Sequence, residues 1–264
     1  MKYIVYVVAG IILLYLVFPI FIIIPMAFNS SPFLIFPPHG FSTQWFTQVI
    51  QDPNWVNGFK NSVIVAVSTT IISVILGTSA AFGLINVNPK IRGMVFGFLM
   101  LPIVVPLVII AIALYNVFSD LGLVGTYAAL IMSHTIIAVP YVISTTLSSL
   151  RSFDINLENA ALSLGANRFQ SFFRITFPII FPGVLSGAIF AFMTSFDEIV
   201  IAQFIAGVNT QTLPIVMWNN IQMEITPNIA AVAAIIIVFT TAILLSITAY
   251  QFFKNRLFKG DLVQ

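Results

Sequence analysis

Six long apolar runs, at about 4–28, 60–86, 94–118, 126–149, 179–206 and 229–252, divide this chain. Each reaches the roughly 20 residues that a helix needs to cross a hydrocarbon core of about 30 Å. With 59% hydrophobic and 7% charged residues among 264, too few charged groups remain to clothe a water-soluble globule of this size. Lipid is therefore the expected solvent. The fold expected is all-α, a polytopic membrane protein of six transmembrane helices forming one domain over residues 1–264. The first run follows Lys2 as a signal peptide would. It is too long for one and lacks a small-x-small cleavage site, so it reads as an uncleaved span.

Charge sets the expected orientation. Lys2, Lys90, Arg92, Arg151, Arg168, Arg174, Lys254, Arg256 and Lys259 all fall on one side of a six-span chain, and Lys60 alone falls at the other. Basic residues are retained on the cytoplasmic face, so both termini are expected there, in a bacterial cytoplasmic membrane. The slight basic excess reports topology and gives no reason to expect nucleic acid. The chain has no cysteine and two histidines, His39 and His134. Disulfides and thiolate chemistry are thereby excluded, and no metal site is expected. All three tryptophans, Trp45, Trp55 and Trp218, lie in the outer segments, where interfacial anchoring is the expected role. Small residues in the second span, including Ser73, Gly77 and Ala81, would let helix backbones approach closely.

The longest cytoplasmic segment, 151–178, reads as two short helices hinged at a glycine. Leu157, Ala160, Ala161 and Leu164 fall on one face, with Asp154 or Asn156 as N-cap. Gly165 supplies a left-handed C-terminal residue, and Asn167 with Gln170 has capping-box spacing for the second helix. Phe169, Phe172 and Phe173 form the next apolar stripe, and Pro178 marks the expected return to the membrane. The polar face lacks the Lys/Arg enrichment of a helix lying on lipid, which favours a protein groove as its partner.

Asn159-Ala160-Ala161, three residues, Gly165, nine residues and Ile175-Thr176-Phe177-Pro178 together resemble the Glu-Ala-Ala, x3, Gly, x9, Ile-x-Leu-Pro loop of bacterial ABC importer permeases. Two positions depart from that pattern: Asn159 replaces its Glu, with Glu158 one residue earlier, and Phe177 replaces its Leu. The resemblance implies a coupling helix docking in an ATP-binding subunit. It gives that role to Glu158, Asn159, Ala160, Ala161 and Gly165, with Arg168 and Pro178 completing the segment. It further implies a fold like that of type I importer permeases, two copies of the ATP-binding subunit, a second homologous permease and an extracytoplasmic substrate-binding protein. The chain has no Gly-x4-Gly-Lys-Ser/Thr phosphate loop, so ATP and Mg are expected in the partner ATPase, with no cofactor on this chain.

Ser195-Phe196-Asp197-Glu198 places two acids well inside the fifth apolar run. Each costs about 2.5–3.5 kcal/mol at a helix centre on insertion scales, so acids here are expected to face the bundle or a wet pathway. Ser195, Asp197 and Glu198 are the candidate substrate-pathway residues, and the sequence leaves open which acid faces the pathway. With Gln203-Phe204-Ile205-Ala206-Gly207, Thr212-Leu213-Pro214 and the Lys60-Asn61-Ser62 entry to the second span, the chain looks like the spermidine/putrescine branch of these permeases. That resemblance implies import of a small organic cation, or of another amine-bearing solute such as aminoethylphosphonate. The rival readings are an ion-gradient-driven secondary transporter, using the same acids for coupling, and an intramembrane enzyme. The enzyme reading fares worst, because the spans offer one histidine and no cysteine. His134 is expected to be a hydrogen-bonded packing residue, since no second ionisable group sits beside it at helical spacing.

Overall fold

The computed structural model describes residues 2–260 of the chain, with side chains described from Tyr3 to Ser246 and at Ala249. Lys2, Lys254, Arg256 and Lys259, which entered the charge count, lie outside the residues whose side chains are described. Every regular element among the described residues is helical. Five helical runs are long and apolar enough to cross a membrane: Tyr3–Ala27, Pro53–Asn86, Tyr127–Arg151, Arg168–Phe196 and Pro227–Ser246.

The third expected span is interrupted. It forms three helices, α4 (Pro89–Leu99), α5 (Leu101–Val104) and α6 (Leu107–Asp120), after α1 (Lys2–Ala27), α2 (Gln44–Gln51) and α3 (Pro53–Asn86). Prolines cause the breaks: Pro106 lacks an N–H and disfavours helical backbone at Val105, which is extended at φ −72°, ψ 133°. The fourth span is intact as α7 (Tyr127–Arg151), capped by the Thr126 side chain, which accepts from the Ala129 N–H at 3.2 Å.

The fifth span departs from expectation at both ends. α8 (Ile155–Ser163) and α9 (Arg168–Ser171) form the expected hairpin, but α9 does not stop at Pro178. A π-helical turn over Phe172–Thr176 carries it directly into α10 (Phe177–Phe196). Pro178 has no N–H for the Arg174 carbonyl and its ring crowds that oxygen, so the wider turn accommodates it without ending the helix. At the other end α10 stops at Phe196, and α11 (Val200–Ile205) begins a new helix. Asp197 and Glu198 therefore stand in a break between helices and not in a helix interior. α12 (Leu213–Met223) and α13 (Pro227–Gly260) complete the chain.

Two compact units result. Residues 1–56 and 217–264 form one, in which α13 packs on α1 and α2. Within it the buried Asn29 receives N–H groups from Ser31 and His39 on its side-chain oxygen, and Trp45 Nε1 donates to the Asn29 carbonyl at 2.6 Å. Trp45 and Trp55 are buried, so they are packing residues and not interfacial anchors; Trp218 is exposed. The order of this loop comes from the buried polar knot at Asn29.

Residues 57–216 form the other unit, organised around α7. Small residues set its close approaches. A Cβ on Gly77 of α3 would sit 2.6 Å from Val142 Cβ, and one on Gly187 of α10 would sit 2.9 Å from Val142 Cα. Gly183, one turn earlier, faces the Thr145 carbonyl at a comparable 2.9 Å. In lipid no hydrophobic force drives helices together, so contact between backbones supplies the attraction that larger side chains would prevent. Arg92 closes the C-terminal end of α3 by donating to the Ile85 and Val87 carbonyls at 2.7 and 3.1 Å.

Candidate functional site

Both breaks, at Val105 and at Asp197–Ile199, border one cavity of about 460 Å³ within the unit formed by residues 57–216. Its lining includes Pro102, Tyr141, Met193, Thr194 and both acids, Asp197 and Glu198. Irregular backbone at membrane depth persists only where protein or a wet cavity satisfies it, and discontinuous helices are the usual walls of solute sites.

The two acids divide. Asp197 is exposed, whereas Glu198 is 6% exposed. The Glu198 carboxylate accepts the N–H groups of Ile201 and Ala202, each at 2.9 Å. These are among the orphan donors of the first turn of α11, so Glu198 closes the helix that the break opens. Its second neighbour is His134 of α7, fully buried, whose Nε2 lies 3.7 Å from Glu198 Oε2. The other ring nitrogen, Nδ1, is 2.8 Å from Ser195 Oγ. Of the three predicted pathway residues, Ser195 and Glu198 belong to a buried cluster around His134; Asp197 and Glu198 both line the cavity, and Asp197 is the exposed one. Sequence reading missed the pairing of His134 because its partners lie on another helix, not at helical spacing on its own.

A second polar cluster ties the loop after α11. Asn61 donates to the Asn209 and Gln211 carbonyls at 3.2 and 2.8 Å and accepts from Tyr127 at 2.6 Å. Ser62 accepts from the Leu213 N–H at 2.8 Å. The Asn61-Ser62 pair was legible only as part of a resemblance; its bonds to Asn209, Gln211 and Leu213 join segments some 150 residues apart.

The helical hairpin after α7 is built as its caps direct. Asp154 accepts from the Asn156 N–H, and Asn167 and Gln170 form the reciprocal capping box. Gly165 adopts φ +93°, with Ala166 N–H bonding Ala161 O at 3.1 Å and Gly165 N–H bonding Leu162 O at 3.0 Å. This pair of bonds is the Schellman motif, which favours glycine at the left-handed position. Ala161 is buried, while Leu157, Asn159, Ala160 and Leu164 are exposed, as are Arg168 and Pro178. Glu158 is half-buried and turns inward, accepting from Thr176 Oγ1 at 3.3 Å. It anchors α8 to the π-turn and leaves Asn159 on the outer surface. Among the described residues no group of three or more His, Cys, Asp or Glu side chains is placed to hold a metal ion.

Membrane-length helices, a cavity walled by broken helices and an exposed helical hairpin define a polytopic transport subunit. The profile of the binding-protein-dependent transport system inner membrane components matches residues 72–259, and the chain belongs to that family. It is 29% identical over 247 residues to the spermidine/putrescine transport system permease protein PotC of Escherichia coli K12, covering 94% of this chain and 92% of that one. It is 32% identical over 231 residues to the putrescine transport system permease protein PotI of the same organism, covering 83% and 80%. A more distant relative, 26% identical over 225 residues, is the sulfoquinovosyl glycerol transport system permease protein SmoH of Agrobacterium fabrum. In fold, the chain is similar to a bacterial ABC transporter involved in the import of alginate, with a TM-score of 0.69 over 95% of each chain at 18% identity. It is thus a multi-pass inner-membrane permease subunit of a binding-protein-dependent transport system, a transport component and not an enzyme.

Proposed function

We propose that this permease forms half of a translocation pathway for a small organic cation, putrescine or spermidine, and that Asp197 meets the substrate's ammonium group. The observation that carries the reading is one exposed carboxylate in a cavity that also offers the Tyr141 ring. A carboxylate attracts cations and repels anions, and an aromatic face adds about 0.5–2 kcal/mol for an ammonium group. The names of the two relatives from Escherichia coli support the same solute class.

In this reading residues 1–264 work as one transmembrane permease domain with both termini in the cytoplasm. The chain pairs with a second, similar permease, and two copies of an ATP-binding subunit hold the ATP and Mg. An extracytoplasmic binding protein delivers the solute; a transporter of similar fold was crystallised with its periplasmic protein. The face of α8 carrying Leu157, Ala160 and Leu164 docks in the ATPase, and Gly165 sets the angle between α8 and α9. Closure of the ATPases then moves the hairpin as a rigid body, and the π-turn carries the movement into α10 without an intervening loop.

The test is ATP-dependent uptake of radiolabelled putrescine and spermidine into proteoliposomes holding the complete complex. Gly165→Asp should abolish uptake and its coupling to hydrolysis. Asp197→Asn should impair uptake alone, with a KM raised by about tenfold for one lost charge interaction of ~1.4 kcal/mol. Uptake that persists without ATP but collapses with an uncoupler would favour the ion-driven carrier and sink this reading.

A further inference from the structure

The cluster around His134 does more than fill the core. Its imidazole is fully buried on α7, bonded through Nδ1 to Ser195 on the last turn of α10, and its Nε2 has no hydrogen-bond partner. That nitrogen points at Glu198 Oε2, 3.7 Å away across the α10–α11 break. In the tautomer whose hydrogen sits on Nε2, Nδ1 accepts from the Ser195 hydroxyl and the Nε2–H faces the Glu198 carboxylate, to which it is attracted. Glu198 is simultaneously held by the Ile201 and Ala202 N–H groups. A single side chain of α7 thereby touches the residue before the break and the residue within it.

We infer that His134 is a positioning residue that fixes the α10–α11 break, keeping the Glu198 carboxylate on the first-turn N–H groups of α11 so that, of the two acids lining the cavity, Asp197 presents the exposed carboxylate. The inference rests on the assignment of Asp197 to the solute cavity. Adjacent residues in a continuous helix would project about 100° apart, and neither would be directed by its neighbour. In the break, the path of the chain is set by the surroundings of Ser195, hydrogen-bonded to His134, and of Glu198, whose carboxylate lies 3.7 Å from the imidazole. Without the imidazole, Glu198 keeps its backbone donors but loses the neighbour that orients the break, and Asp197 is free to leave the cavity wall.

The absence of native cysteine gives a direct measurement. Thr194→Cys places one thiol in the cavity lining, and its modification is followed by the intact mass of this chain in the assembled complex. The probes are a cationic aminoethyl and an anionic sulfonatoethyl methanethiosulfonate. Asp197 at the wall should favour the cation by about tenfold in rate, after correction for the reagents' intrinsic reactivities. Adding His134→Ala should bring the ratio near one, and Ser195→Ala should lower it as well. His134→Asn, which retains a partner for Ser195, should restore at least half of the preference. In uptake, His134→Ala in the native background should raise KM for putrescine while kcat per folded complex is retained, a split that a general loss of folded protein does not produce. If His134→Ala unfolds the chain, Ser195→Ala alone decides. An unchanged ratio in whichever of the two variants folds would overturn the inference. A ratio near one in the parent Thr194→Cys protein would instead overturn the placement of Asp197, and the inference with it.

Discussion

Asp197 and Glu198 are neighbours in sequence with opposite surroundings, and substitutions should separate them. Glu198→Ala leaves two first-turn N–H groups of α11 without acceptors inside the protein. The cost expected is about 1–3 kcal/mol, read as a lowered unfolding midpoint of the purified chain in detergent. Asp197→Ala removes an exposed side chain with no such task, and its midpoint should stay within about 0.5 kcal/mol of the parent. Equal destabilisation by both would contradict the division. The acid pair was legible in the sequence as a candidate site because ionised groups are rare in apolar runs. Which acid is exposed at the cavity was not, since that depends on a helix break and on a histidine from another span. The signal for the break was nonetheless present: an acid just before Val200-Ile201-Ala202 has the position of a residue that closes a helix start. Gly165 was legible for the converse reason. Its role is local, and its φ of +93° follows from the capping pattern around it. No atom would obstruct a Cβ there, so Gly165→Ala is opposed only by the backbone, by about 1–2 kcal/mol. Partial loss of transport coupling is the expected result, against complete loss for Gly165→Asp.

At the level of elements, the spans that the sequence delimited well are those whose ends are set locally. α7 starts at its Thr126 cap and α13 at Pro227. The second helix begins at Pro53, ahead of the expected 60, and the sixth runs on to Gly260, past the expected 252; the spans that differ in continuity are the third and fifth, which contain prolines or acids and border the cavity. Apolar content predicts membrane residence but is blind to continuity of the helix, because a broken helix and an intact one are equally apolar. Proline positions carry part of the missing information, yet Pro140 sits inside an unbroken α7 while Pro106 ends α5. Packing against neighbours decides between those outcomes. The contact of α10 with α7 is the element-level feature most open to test. Gly187→Leu would drive a side chain into Val142 Cα and Thr145 Oγ1, now 2.9 and 2.6 Å from a Cβ built there. Overpacking of this kind costs about 1–3 kcal/mol and forces the helices apart. A broadened or aggregated gel-filtration peak is expected, whereas Gly97→Leu, in open space on α4, should leave the peak unchanged.

For the whole molecule, the proposed coupling requires a permease subunit without a phosphate loop to answer to ATP held by a partner. Outside its spans the chain offers an apolar surface that its own caps hold rigid on α8, with Leu157 46% and Leu164 89% exposed. A lone surface leucine needs no explanation, but two on one face of a short helix, locked by a Schellman turn and by the Glu158–Thr176 bond, form a preorganised knob. Full burial of a leucine contributes about 1.5–3 kcal/mol, so Leu164→Ala should weaken binding of the ATP-binding subunit by roughly ten- to a hundredfold. Because Leu164 contributes little to this chain's own packing, the unfolding midpoint should not move. Glu158→Ala should act differently, since that carboxylate faces inward. It should leave the docking surface in place and loosen its attachment to the π-turn, so that the ATPase still binds but hydrolysis no longer tracks uptake. Measuring subunit affinity and the ratio of ATP hydrolysed to putrescine imported, in the same proteoliposomes, separates the two. Loss of affinity in Glu158→Ala, or retained affinity in Leu164→Ala, would mean that the knob and its tether have been assigned the wrong way round.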